Sequence, residues 1–158
     1  MITVDHRCEL SGSDRYVEAT DDVGMVHRFL EQEGIRDEIV LMASGGVRTA
    51  YDVAKAIALG ADGCIVGTAE LVALGCMRLG TCERERGCPF GIATTDRELA
   101  RQIEPLVAGR RIANLYASWR VQLAAILDHL GLAGVGDLRG RTDLLVYLDA
   151  GDGDGKGS

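Results

Sequence analysis

Two short apolar runs, each closed by a glycine turn and set one helix apart, constrain this chain more than any other feature. The first, Ile39-Val40-Leu41-Met42-Ala43, enters Ser44-Gly45-Gly46; the second, Cys64-Ile65-Val66, enters Gly67-Thr68. Continuous apolar runs bounded by turn residues suit strands buried on both faces. Between them Thr49 can cap a helix over 50–59, with Val53, Ala56 and Ile57 on one face and Gly60 at its end. Strand, helix, strand at this distance is a βαβ unit, so the strands should lie parallel with a right-handed crossover.

Around that unit the pattern is weaker. Residues 1–21 are polar and read as a poorly ordered N-terminal segment. From Asp22, Val23, Val26, Phe29 and Leu30 repeat at helical spacing up to Gly34. Thr95-Asp96 can cap a short helix through Ile103, and Pro105 interrupts further pattern. A longer helix over about 110–130 carries an apolar stripe that includes Tyr116 and Trp119. A short closing element follows at 139–148, and 149–158 is a Gly/Asp tail expected to be disordered. One ordered unit is expected over 22–148.

The composition excludes several functions. Of 158 residues, 47% are hydrophobic and 26% charged, enough for one domain with a core. A net charge of −7 argues against a nucleic-acid groove or an anionic membrane surface, and 4% aromatics provide no ladder for stacking bases. No apolar run approaches the roughly 20 residues that span a bilayer. The start, Met1-Ile2-Thr3-Val4-Asp5-His6-Arg7, does not read as a secretory signal. Five cysteines, three of them clustered, do not resemble a secreted disulfide framework, so cytoplasm is the expected compartment.

Two motifs carry candidate chemistry. In Ser44-Gly45-Gly46 the glycines let backbone N–H groups approach an anion closely, and Ser44 can add its hydroxyl. Gly67-Thr68 opens the next helix, whose first N–H groups favour a phosphate. Two such loops after consecutive parallel strands match the phosphate site of a (β/α)8 barrel; two ordinary glycine turns are the bland alternative. The second motif is Cys76, Cys82 and Cys88, spaced C-x5-C-x5-C, with Pro89 directly after. Thiolates ligate iron, and three local ligands imply a cluster lacking one iron or a fourth ligand from elsewhere. Arg78, Arg84 and Arg86 could offset cluster charge. Zinc is weaker, without a C-x2-C pair and with His6, His27 and His129 remote; incidental surface thiols are the third possibility. Cys64 reads as a small core residue, and Cys8 is assigned no role. Arg48 is read equally as a phosphate contact or an exposed arginine.

Met42-Ala43-Ser44-Gly45-Gly46-Val47-Arg48-Thr49, Ala58-Leu59-Gly60-Ala61-Asp62-Gly63-Cys64 and the loop from Leu74 to Asp96 resemble glutamate synthase. The part concerned is the C-terminal half of its FMN-binding synthase domain, in the archaeal-type large subunit. Gly140-Arg141-Thr142-Asp143-Leu144-Leu145 is similar to that family's closing segment. The similarity covers roughly residues 22–148, and the cysteine loop is its specific part, although the family's second gap is often shorter than x5.

The resemblance implies a partial TIM (β/α)8 barrel: its last two βα units, an iron–sulfur loop and C-terminal helices. It implies FMN and a cluster, 3Fe-4S rather than 4Fe-4S, serving reductive formation of glutamate from 2-oxoglutarate and glutamine-derived ammonia through 2-iminoglutarate. Carried over by position, Ser44, Gly45, Gly46, Gly67 and Thr68 would hold the FMN phosphate, and Cys76, Cys82 and Cys88 the cluster. Ferredoxin or an NAD(P)H-oxidising subunit would donate electrons, and no residue is assigned to catalysis. The earlier strands and the glutaminase domain are absent from these 158 residues. Two strands cannot close a barrel. A partner chain, self-association or a truncated gene product are the alternatives. An FMN barrel without a cluster, a non-catalytic electron-transfer or assembly subunit, and an inactive remnant are the competing functions.

Overall fold

The computed structural model describes residues 2–5, 15–80, 82–84 and 86–146. Strand β1 (Ile2–Asp5) is followed by helix α1 (Arg15–Gln32), strand β2 (Leu41–Ser44), helix α2 (Ala50–Ala58) and strand β3 (Gly63–Ile65). Helices α3 (Thr68–Leu74), α4 (Arg97–Ala100) and α5 (Pro105–Leu130) complete the regular structure, with 3-10 turns at Arg36–Glu38, Val135–Leu138 and Thr142–Leu144.

The sheet has three strands in the order β1-β2-β3. All are parallel, with Ile2 opposite Leu41, Asp5 opposite Ser44, Met42 opposite Gly63 and Ser44 opposite Ile65. The expectation of parallel strands joined through a helix therefore holds, but two expectations need correction. Residues 1–21 are not wholly irregular, because β1 lies at 2–5 and α1 begins at Arg15 rather than Asp22. Ile2, Thr3 and Val4 are β-branched strand formers, in a run too short for its period to be read. The tail at 149–158 and Cys8 lie outside the described residues.

The second correction concerns burial. Alternate strand residues face opposite sides of a sheet. Leu41 and Ala43, 0% and 6% exposed, pack with Ala61, with Val23 and Val26 of α1 and with Ala56 and Leu59 at α2, and Cys64 joins them. The other row, Met42, Ser44, Gly63 and Ile65, lies on the opposite side, and Ile65 is 45% exposed. The strands expected to be buried on both faces thus pack on the described helices through the Leu41–Ala43 row and leave Ile65 of the other row exposed.

Local sequence accounts for the helix ends. Thr49 and Asp52 form a capping box on α2: Asp52 Oδ2 accepts the Thr49 N–H at 2.9 Å and Thr49 Oγ1 accepts the Asp52 N–H at 3.3 Å. Pro105 does not interrupt a helix but starts one, at the first position of α5, where its missing N–H has no partner to lose. Among the described side chains of α1, Val23, His27 and Leu30 are buried, while Phe29 is 56% exposed. Trp119 of α5, 7% exposed, packs with Val47 and Ala50, and with Tyr116 edge-on at 5.8 Å between centroids.

Candidate functional site

The register that sets Ser44 beside Ile65 brings the turns after β2 and β3 to the same end of the sheet. Gly45 and Gly46 take φ of +88° and +69°, a conformation that L side chains rarely adopt. Capping by Asp52 ties this turn down, since its Oδ2 also accepts the Arg48 N–H at 3.0 Å. Across the sheet end, Gly67 is the N-cap of α3 and has no side chain with which to cap the helix. A Cβ at Gly67 would meet nothing within 4 Å, so no neighbour in the chain requires glycine there. Thr68, the first residue of α3, is exposed. Ser44, Gly45, Gly46, Gly67 and Thr68 therefore share one end of the sheet, as a phosphate cradle needs.

Helix α3 connects the two motifs. Its seven residues span about 10 Å. It ends at Gly75, and the Cys76 N–H donates to Leu71 O at 2.9 Å, so Cys76 is fixed to the helix terminus. Arg111 Nη1 of α5 donates to Leu74 O at 3.0 Å, and the Tyr116 hydroxyl donates to Glu70 Oε1. The carboxylate of Glu70 pushes the Tyr116 hydroxyl up to about 12. These braces, one from Arg111 and one from Tyr116, were not foreseen from sequence, because they join residues 37 and 46 positions apart.

The three thiols differ in their surroundings. Cys76 is half-buried, and its sulfur accepts the Arg78 N–H at 3.4 Å. Cys82 is exposed. Cys88 is buried, its N–H donates to Ala93 O at 2.9 Å, and its carbonyl accepts the Gly91 N–H at 3.0 Å. Backbone hydrogen bonding from Ala93, reinforced by Phe90, Ile92 and Gly91, outweighs burial and lowers the Cys88 thiol below its ordinary value.

A third brace holds this arm. Arg86 Nε donates to Asp96 Oδ2 at 2.7 Å and Arg86 Nη2 to Glu98 Oε2 at 2.8 Å, while Asp96 caps α4 through the Glu98 and Leu99 N–H groups. The Arg86 guanidinium, with help from those N–H groups, takes the Asp96 carboxyl down to about 2. Arg86, one of three arginines that could offset cluster charge, is ion-paired with Asp96 and Glu98. Cys64 packs among core residues, where burial pushes its thiol up to about 11. That inert state agrees with its reading as a core cysteine.

The donor chemistry fits a thiolate-ligated iron centre at two of the three sulfurs, because backbone N–H groups face Cys76 and Cys88. The three do not converge. Among the described residues no three His, Cys, Asp or Glu side chains gather closely enough to hold a metal ion.

Residues 20–133 match the model of the conserved region in glutamate synthase. The chain belongs to the glutamate synthase family. It is 44% identical over 123 residues to the archaeal glutamate synthase [NADPH] of Methanocaldococcus jannaschii, covering 78% of this chain and 24% of that protein. The archaeal-type glutamate synthase [NADPH] of Thermotoga neapolitana is 42% identical over the same shares. The ferredoxin-dependent glutamate synthase 2 of Synechocystis is 32% identical over 120 residues, or 76% of this chain and 8% of that protein. The chain thus spans about a quarter of the length of the archaeal-type glutamate synthases it matches. The relatives, as glutamate synthases, are oxidoreductases. No described helix is long and apolar enough to cross a membrane.

Proposed function

We propose that this chain is the flavin-phosphate and iron–sulfur portion of a glutamate synthase-type oxidoreductase, which makes glutamate reductively from 2-oxoglutarate and glutamine-derived ammonia. The observation that carries the reading is the course of α3, which runs from the Gly67 end of the sheet directly into the thiol loop. An FMN phosphate held at one end and a cluster at the other would stand about one short helix apart. When bound, these groups supply hydride and single-electron chemistry respectively.

The chain's own residues have separable tasks in this proposal. Ser44 would donate its hydroxyl to a phosphate oxygen, Gly45 and Gly46 would bring N–H groups against it, and Gly67 and Thr68 would open the first turn of α3 towards it. Cys76, Cys82 and Cys88 would ligate a 3Fe-4S cluster. Two sulfurs are already held by backbone N–H groups, so the exposed Cys82 would have to move to join them in ligating a cluster. Electrons would come from ferredoxin or an NAD(P)H-oxidising partner.

The sheet row Met42, Ser44, Gly63 and Ile65, with Ile65 exposed, supports a partial (β/α)8 barrel, to which a partner chain or a second copy would add strands. An electron-transfer or assembly subunit is the second reading, favoured by that same row.

Anaerobic purification with iron, sulfide and flavin assays per chain tests the proposal. Near three irons per chain, lost in Cys82→Ser, together with bound FMN, is the expected result. Iron without flavin in a chain that co-purifies with a partner favours the subunit reading. Folded protein with neither group overturns both and leaves an inactive remnant.

A further inference from the structure

At the opposite end of the sheet, His27 lies on the buried face of α1, 7% exposed, with its ring between two glycine backbones. A Cβ at Gly60, after α2, would collide with the ring, and one at Gly140 would stand 2.8 Å from Nε2. Nδ1 accepts the Arg36 Nε–H at 2.9 Å, and Nε2 faces Glu31 Oε1 at 3.4 Å. A nitrogen that accepts from a guanidinium carries no proton, so the ring is neutral with its hydrogen on Nε2.

The ring is the wedge on which the C-terminal segment closes. Gly140 N–H donates to Ile57 O at 3.2 Å beside it. The segment lays Leu138, 2% exposed, with Leu144 and Leu145, over Ala54, Ile57 and Ala58 of α2 and Leu127 of α5. An apolar groove of about 330 Å³ runs along this seam, with Leu138, Leu144 and Leu145 forming one wall.

We propose that His27 is the pin of a proton-sensitive latch. Protonation at Nδ1 removes the acceptor for Arg36 and releases the segment after Gly134 from α1 and α2, uncovering the apolar seam. The charges around the ring come from every neighbouring element: Glu31 from α1, Arg36 from the 3-10 turn, Asp62 from the turn before β3, and Arg139 from the segment itself. Asp62 is already paired with Arg36 and Arg139, and Asp37 with Arg139. Glu31, 57% exposed, is the carboxylate left to meet a new charge. Burial lowers the proton affinity of the ring most, Glu31 opposes this, and Arg36 and Arg139 add to the lowering. The latched state therefore binds the proton more weakly than the released one. Closure is complete above pH 6.5, the ordinary histidine value, and weakens as pH falls through the lowered one.

Amide hydrogen exchange at Gly140, followed on the full chain from pH 8 to 5 and corrected for intrinsic exchange, tests the latch. The opening constant should rise by up to about tenfold per pH unit below the ordinary histidine value. In His27→Gln, whose amide oxygen can accept from Arg36 but cannot titrate, the rise should vanish. A flat profile in the native chain, or an unchanged rise in the variant, overturns the proposal. Should the variant not fold, the ¹⁵N shifts of the native ring decide. Titration below the ordinary value, with the rise in Gly140 exchange levelling off where the ring titrates, supports the latch; titration at or above it, or a rise unrelated to the ring's titration, overturns it.

Discussion

The two ends of the small sheet are finished in opposite ways. At the end where β2 and β3 begin, Asp62 accepts the Leu41 N–H at 2.7 Å, Arg36 at 3.0 Å and Arg139 at 2.8 Å. Arg36, 6% exposed, also donates to Gly60 O, Ile39 O and His27. At the end where the strands finish, Gly45 and Gly46 turn with positive φ, and Gly67 starts α3 with no side-chain cap. One end closes its polar groups on the chain itself; the other carries the glycine turns proposed above to hold a phosphate. In (β/α)8 barrels the same division separates stability from chemistry.

The largest effect that would test this contrast is Asp62→Ala. It strands the Arg36 charge in a buried site and leaves the Leu41 N–H without its acceptor. The expected loss is about 3–5 kcal/mol, read as a lower urea midpoint. Burial alone would raise the Asp62 carboxyl, but the Leu41 N–H, Arg139 and Arg36 outweigh it and hold it below its ordinary 3.8. Its contribution is therefore complete above that value and lost as pH falls through the lowered one. The acid limb of the stability profile should flatten in Asp62→Asn. A mild loss in Asp62→Ala, or an unchanged acid limb in Asp62→Asn, would remove the distinction between the two ends.

The open end was more legible in sequence than the closed one, for a physical reason. Glycine loops after apolar runs are local signals, as are the Thr49–Asp52 box and the cysteine spacing. The closed end joins His27, Arg36, Asp62 and Arg139, and the contact from Asp62 to Arg139 crosses 77 positions. Nothing in the helical spacing of α1 marks His27 as core in preference to Phe29, because the periodicity rule counts apolar residues. β1 escaped for a different reason, being four residues long beside a polar segment. The thiol loop lies between these cases. Its spacing announces three candidate ligands, but whether they converge depends on braces such as Arg86 to Asp96 that no spacing displays.

Gly91→Ala carries the next effect and asks how far the open end is built from its own packing. Gly91 has φ of +75°, and an added Cβ would run into the carbonyl oxygen of Leu99 at the C-terminal end of α4's turn. Two faults at one position should cost about 1–3 kcal/mol. They should also disturb the N–H groups around Cys88, so thiol-reactive reagents should label Cys88 faster than in the native chain. If labelling is unchanged while stability falls, the Cys88 arm is not held by the 86–99 turn, and the thiol loop is looser than its hydrogen bonds imply.

The smallest effect on stability should accompany the sharpest effect on binding, at Gly67. Its φ is −131°, which side chains tolerate, and the space around its Cβ position is empty for 4 Å. Substitution by alanine should therefore shift stability by no more than about 0.5 kcal/mol. A methyl group there would nonetheless stand where the proposed phosphate approaches the first N–H groups of α3. FMN retained on purification should fall by tenfold or more while the urea midpoint stays in place. The reverse outcome, a destabilised chain with flavin binding intact, would mean that the glycine serves the turn and not a ligand. In that case the open end would be unfinished surface, and the contrast with Asp62 would be one of packing alone.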